Sequence, residues 1–243
     1  MSQLWWDIAA RSDRGNVRKI NEDALLVVSN GPLLAVADGM GGHQAGEVAS
    51  RMITEALTSM APAPALLDAR EQLEAALQHA NQAILDYGTR ELAGVTIGST
   101  VVAMTARGAQ AVCLWAGDSR LYRLRHGELQ QLTDDHSYVA EMVRQGLLNK
   151  EEARNHPSAN MITRAIGVVA PVELSCAILD VETGDTYLLC SDGLTNEVAE
   201  EELCAALSEP DVHASADHLL QLCLSRAARD NVSFIIARSP THY

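Results

Sequence analysis

Apolar and polar positions alternate, or run apolar to an abrupt polar stop, at Ala24–Ser29, Leu33–Ala37, Thr100–Ala106, Ala111–Ala116, Leu121–Arg125, Leu174–Ile178, Thr186–Cys190 and Val232–Ala237. Each run is β-branched or apolar and ends at Gly, Asp or a charge, which predicts strands. Segments at Glu47–Met60, Leu66–Thr89, Tyr138–Gln145, Glu200–Ser208 and Ala214–Ala228 predict helices. The helices fall in a pair after the second strand and again near the end. That order favours antiparallel sheets covered by helices over a Rossmann-like sheet, which needs alternation. The run Ala61-Pro62-Ala63-Pro64-Ala65 is too short to part domains and turns one helix into the next. Asp134–Val169 stands apart, with short polar helices and turns between two strand-rich halves. An insertion of that kind beside a site is expected to form a flap.

Composition narrows the function. Hydrophobic residues make up 47% of the 243, enough for a sizeable core, and with aromatics at 4% that core must be aliphatic. A formal net charge of −14 repels nucleic acid and anionic membrane surfaces at long range. The surplus of carboxylates is either a solvated acidic surface or a cluster that needs cations. The five cysteines are an odd number with no C-x-x-C pair, and they read as buried, reduced thiols of a cytosolic protein. Met1 to Arg14 has no positive stretch followed by an apolar one, and no run approaches the ~18 apolar residues of a spanning helix. The expectation is a soluble cytoplasmic protein with no membrane insertion.

Four Asp residues follow apolar strands or precede one: Asp38 in Ala37-Asp38-Gly39, Asp118 in Gly117-Asp118-Ser119, Asp192 in Ser191-Asp192-Gly193, and Asp230 ahead of Asn231 and Val232. A single Asp-Gly is usually a surface turn. Four beside strands, where backbone is rigid, suit carboxylates held for metal binding. Arg18-Lys19-Ile20-Asn21-Glu22-Asp23 enters the first long strand. It is either a solvated polar turn or a guanidinium fork for phosphate beside acids that orient metal-bound waters. The glycine-rich run from Asp38 to Gly46 lets backbone approach an ion closely and leads into a helix.

These residues, with Gly98-Ser99-Thr100, Asp135-His136-Ser137 and Thr163-Arg164-Ala165-Ile166-Gly167, resemble the metal-dependent PPM (type 2C) serine/threonine phosphatases, most of all their small stand-alone bacterial members. The resemblance spans nearly the whole chain. It implies an α+β fold: a four-layer α-β-β-α sandwich of two antiparallel sheets, with residues 1–243 as one domain and a flap subdomain at about 134–169. It implies that Asp38 bridges two Mn²⁺ or Mg²⁺ ions, that Asp192 and Asp230 complete the first, and that the Gly39 carbonyl and Glu22 serve the second, directly or through water. Asp23 would stand behind these ligands. Asp118 resembles the ligand of a third, weaker cation under the flap; otherwise it is a turn acid. Arg18 would bind the phosphoryl oxygens. His43 would protonate the departing oxygen or cap the glycine-rich loop; in animal relatives the histidine directly follows Asp-Gly, whereas here Met40-Gly41-Gly42 intervenes. Arg120, His136, Trp5, Trp6 and Trp115 are expected to be structural.

The resemblance implies hydrolysis of phosphoserine and phosphothreonine in proteins, opposing a Ser/Thr kinase, and the chemistry agrees, since hard cations acidify water to a nucleophile near neutral pH. No phosphoenzyme is needed, and the Cys-x5-Arg loop of cysteine phosphatases is expected to be missing. The alternatives are a catalytically silent module that binds phosphate or a partner, and a hydrolase of small phosphoesters on the same metal pair.

Overall fold

The computed structural model describes residues 6–29, 32–41, 45–61 and 63–240. Two antiparallel sheets form its centre. One has the order β1 (Asp7–Asp13), β11 (Val232–Arg238), β10 (Thr186–Cys190), β7 (Arg120–Arg125) and β8 (Glu128–Gln131). The other runs β2 (Asp23–Val28), β3 (Leu33–Met40), β5 (Val101–Arg107), β6 (Gln110–Ala116) and β9 (Ser175–Asp180), with the two-residue β4 (Gly98–Ser99) paired to the end of β3.

Three apolar layers hold this together, and strand alternation assigns residues to them. Along β3, Leu33, Ala35 and Ala37 face outward beneath α1 (Ala45–Thr58) and α2 (Leu66–Glu91), meeting Ile53, Leu57, Leu73 and Leu77. Leu34 and Val36 point the other way, into the layer between the sheets, against Leu121, Tyr187, Leu189 and Ile235. On the far side, Leu188, Phe234 and Ile236 lie under α6 (Glu200–Leu207) and α7 (Val212–Leu224). Burying each such side chain contributes about 1.5–3 kcal/mol. The α+β four-layer sandwich is therefore the observed architecture.

Some elements depart from expectation for local reasons. β1 buries only Ala9 and β8 is Glu-Leu-Gln-Gln, so neither sheet-edge strand shows an apolar run. β4, α4 (Lys150–Arg154) and α5 (Asp192–Thr195) are too short for periodicity to reveal. α7 starts earlier than expected because Asp211 caps it, accepting from the backbone N–H of His213 and Ala214. It stops at Leu224, whose carbonyl accepts from Asn16 Nδ2. The cysteines divide: Cys113, Cys190 and Cys223 are buried, but Cys176 is exposed on the outer face of edge strand β9 and Cys204 is partly exposed. Among the described residues no helix is long and apolar enough to cross a membrane.

Candidate active site

At one end the layer between the sheets turns polar, and the same alternation decides which residues enter it. Asp38 follows Leu34 and Val36 on the inward face of β3, so it lies within the strand rather than at a turn after it. Asp23 is its direct partner across the β2–β3 ladder. Ser191 and Ser233 arrive from the opposing sheet, and Ser191 Oγ donates to Asp23 Oδ2 at 3.0 Å. Thr100 Oγ1 and Ser119 Oγ, 2.7 Å apart, close the layer beside Asp38, whose N–H donates to Thr100 Oγ1. Asp192 opens α5 and Asp230 precedes β11.

Backbone approach brings Glu22 to the same end. The Gly39 N–H donates to the Glu22 carbonyl at 3.1 Å, and Glu22 Oε1 accepts from the Gly46 N–H at the start of α1. A Cβ on Gly39 would stand 2.1 Å from the Gly46 carbonyl oxygen, so only glycine permits this seating of helix on strand. Arg18 Nη2 donates to Asp230 Oδ2 at 2.7 Å, with the Arg18 side chain half exposed.

The cluster is only partly compensated by cations. Burial, reinforced by Asp23, Asp192, Asp118 and Asp230, pushes the Asp38 carboxyl well above its usual range. Asp23 rises to about 7, mainly through burial and despite the nearby Ser233 and Ser191 hydroxyls; among the described residues its buried Oδ1 has no hydrogen-bond partner. Asp118 also rises to about 7 through burial and the charges of Asp192 and Asp135. Asp192 is raised by burial and by Asp230. So many acids with so little cationic cover, and one oxygen unsatisfied, fit a set of donors for hard cations. Among the described residues no three His, Cys, Asp or Glu side chains converge closely enough to hold an ion by themselves. The acids repel one another, and Arg18 draws on Asp230 as Asn196 does on Asp192. Such a set suits cations that keep several water ligands rather than a closed protein cage.

Asp118 lies where segment 134–169 leaves the sandwich. The His136 N–H donates to the Gly117 carbonyl, and the Gly117 N–H returns to His136 Nδ1. His136 is buried, stacked on Trp115 and lowered to about 4 by burial and by Arg164 and Arg144. Within the segment, α3 (Tyr138–Arg144) and α4 are joined by turns, and Ser137 bridges Ile162. The chain returns at Ile166, which exchanges backbone hydrogen bonds with Ser99, the β4 partner of Gly39. One base of the segment thus abuts Asp118 and the other abuts Gly39. Arg120 is held in a fork by Asp135, and Trp6 packs on Tyr187.

The sequence pattern described as protein phosphatase 2C matches residues 15–229 of this chain. The chain belongs to the protein phosphatase 2C family. It is 41% identical over 234 residues to a serine/threonine phosphatase stp of Listeria monocytogenes, covering 93% of each chain. It is also 41% identical over 229 residues to the serine/threonine protein phosphatase PstP of Mycobacterium tuberculosis, which takes in 94% of this chain but 44% of that protein's length. A crystal structure of the PstP catalytic domain with two manganese ions superposes with a TM-score of 0.88 at 39% identity, covering 98% of this chain and 99% of the other. PppA, a regulatory component of the T6SS in Pseudomonas aeruginosa, superposes at 0.89 with 43% identity, covering 97% and 98%.

For a 2C-type chain, the expected site residues Arg18, Glu22, Asp23, Asp38, Gly39, Asp118, Asp192 and Asp230 all fall at the polar end of the sandwich or at its flap corner. His43 and Trp5 lie outside the described residues. One expectation needs correcting: Cys223 and Arg229 do stand at the Cys-x5-Arg spacing. Cys223, however, is in the last turn of α7, fully buried, with its thiol pushed up to about 12 by burial and its Sγ against the Gly193 carbonyl. A thiol so placed is neither ionised nor open to phosphate. Sequence reasoning named Asn231, Thr100 and Ser119 within its motifs but gave their side chains no role, and it gave none to the Ser233 hydroxyl. The signal for the hydroxyls was parity, since each continues the inward face of an apolar strand.

Proposed function

We propose that this chain hydrolyses phosphoserine and phosphothreonine in proteins, with Asp38, Asp192, Asp230, Glu22 and the Gly39 carbonyl as ligands of two Mn²⁺ or Mg²⁺ ions. The observation that carries the reading is the half-buried, mutually repelling set of Asp23, Asp38, Asp118 and Asp192 beside the half-exposed guanidinium fork of Arg18. When bound, the cations supply an acidified water and offset phosphoryl charge. Asp23 and the serines behind it keep the ligands oriented.

Arg18 binds the substrate. Its pair with Asp230 is solvent-exposed on the arginine side and contributes no more than about 1 kcal/mol, so an incoming phosphate can take over the guanidinium. Asp118 serves a third, weaker cation. His43 is the candidate proton donor to the departing oxygen. Residues 1–243 act as one phosphatase domain with 134–169 as its flap.

The finer reading is a cytoplasmic enzyme that reverses a Ser/Thr kinase. Support comes from the match to the Listeria phosphatase over 93% of each chain. A silent binding module has no need of buried acids in this number. The test is turnover of a phosphothreonine peptide, expected with Mn²⁺ or Mg²⁺ and lost in EDTA. Undiminished turnover in chelator overturns the mechanism.

A further inference from the structure

The loop from Arg14 to Glu22 carries both Arg18 and Glu22, yet it belongs to no helix or strand up to Asp23. Something must fix its path to within the tolerance of a phosphate fork. Its contacts converge on one side chain. Asn231, 5% exposed, donates through Nδ2 to the carbonyls of Arg14 and Ile20, both at 2.9 Å, and accepts through Oδ1 from the Glu22 N–H at 2.8 Å. It grips the loop on both sides of Arg18. Its own N–H donates to Asp230 Oδ1 at 2.8 Å, while Arg18 donates to Asp230 Oδ2, which closes a ring from amide to loop to guanidinium to carboxylate.

We infer that Asn231 is a positioning residue that holds Arg18 and Glu22 in register with Asp230. The pattern demands an amide. Two carbonyls and one N–H meet a single planar group, and only Asn or Gln offers two donors and an acceptor together. Aspartate would set its charge against the Arg14 and Ile20 carbonyls, and alanine would strip three part-buried backbone groups of this partner. The loop has no slack to compensate, because Gly15, at φ +75°, runs so close that a Cβ would stand 2.1 Å from the Asp230 carbonyl oxygen. Asn16 fastens the same stretch to Leu224 and Arg226 through its Nδ2. Asn231 touches neither phosphate nor cation in this assignment; it acts through Arg18 and Glu22, and the inference rests on the phosphatase reading for its consequence in catalysis.

Two measurements judge it. In metal-free wild-type protein, hydrogen exchange at the Glu22 amide should be slowed by about 100-fold or more relative to an open loop, since that N–H has a buried partner. Exchange at open-loop rates overturns the clamp whether or not the protein is an active phosphatase. In kinetics at saturating Mn²⁺, Asn231→Asp and Asn231→Ala should raise KM for a phosphothreonine peptide more than they lower kcat, as Arg18→Ala does. Combining either with Arg18→Ala should cost at least about fivefold less in kcat/KM than the product of the single effects, the mark of residues acting through one another. Multiplicative effects in variants that melt like the wild type would overturn the inference. Should both variants fail to fold, the exchange result decides. Inactivity of the wild type would sink the phosphatase reading and leave that exchange result standing.

Discussion

Asp23 and Asp38 face one another directly across the β2–β3 ladder, on the side that looks toward the opposing sheet. Like charges at such a pair oppose each other, and here both are also half-buried and raised by desolvation. Ser191 satisfies one oxygen of Asp23, and none of the described residues hydrogen-bonds to the other. The end of the sandwich proposed to bind cations is thus built against its own stability when they are absent.

The metal-free protein should therefore lose stability as pH rises through the range where these acids ionise. Asp23 and Asp118 are raised to about 7, and Asp38 and Asp192 are raised too, each chiefly by burial. Between the ordinary value of 3.8 and about 7, the folded state holds protons that the unfolded chain has released, so stability falls with pH. His136 works in the opposite sense, because its lowered value, about 4, makes the fold prefer the neutral ring below the usual 6.5. One imidazole does not offset the raised acids. In EDTA the melting temperature should be at least about 4 °C lower near pH 7.5 than near pH 5, and Mn²⁺ should reverse most of the loss. A flat profile would mean the acids are compensated in a way the geometry does not reveal.

Asp38→Asn keeps the shape of the side chain and removes the charge at the centre of the cluster. The variant should melt higher than the wild type in EDTA, by roughly 2–8 °C, while turnover is lost and the stabilisation by Mn²⁺ shrinks sharply. Calorimetry showing unchanged Mn²⁺ binding in Asp38→Asn would move the cation site elsewhere.

The central strands were legible because they are apolar and mostly buried, but Asp38 was expected at a turn after its strand, whereas it continues β3 and shares a face with Leu34 and Val36. Edge strands such as Asp7–Asp13 were not legible, since one buried alanine makes no pattern. The acids were legible as strand-end carboxylates and by resemblance. What joins them was not: Asn231 meets Arg14, Ile20 and Glu22 across more than two hundred residues of chain, and no local signal marks such a contact. Cysteine burial was misjudged at Cys176 because an edge strand exposes alternate residues whatever their type.

Arg18→Ala should act on substrate rather than on metal, because a guanidinium cannot ligate a cation. The expected signature is a KM for phosphopeptide raised by roughly tenfold, a smaller fall in kcat, and Mn²⁺ affinity that does not weaken. Removal of the Asp230 pair even frees a carboxylate oxygen for the cation. If Mn²⁺ affinity instead fell as far as in Asp38→Asn, Arg18 would be a structural partner of the acids.

The segment from 134 to 169 is anchored at both ends beside the acids, at Gly117 through His136 and at Ser99 through Ile166, but several of its apolar side chains are exposed. Tyr138 is 43% exposed and Met161 55%, and they are tied together by the Tyr138 N–H donating to the Met161 carbonyl. Side chains so exposed contribute little to the core, so their truncation should leave the melting temperature within about 2 °C of the wild type. They can still meet the residues flanking a phosphoserine, whereas p-nitrophenyl phosphate is too small to reach from the acids to the flap surface. Tyr138→Ala and Met161→Ala should accordingly change kcat/KM on phosphopeptides by roughly threefold or more and leave p-nitrophenyl phosphate turnover nearly unchanged. Asp118→Ala, at the base of the flap and among the acids, should lower both. Equal and negligible effects of the two flap changes on both substrates would reduce the segment to a long surface connection.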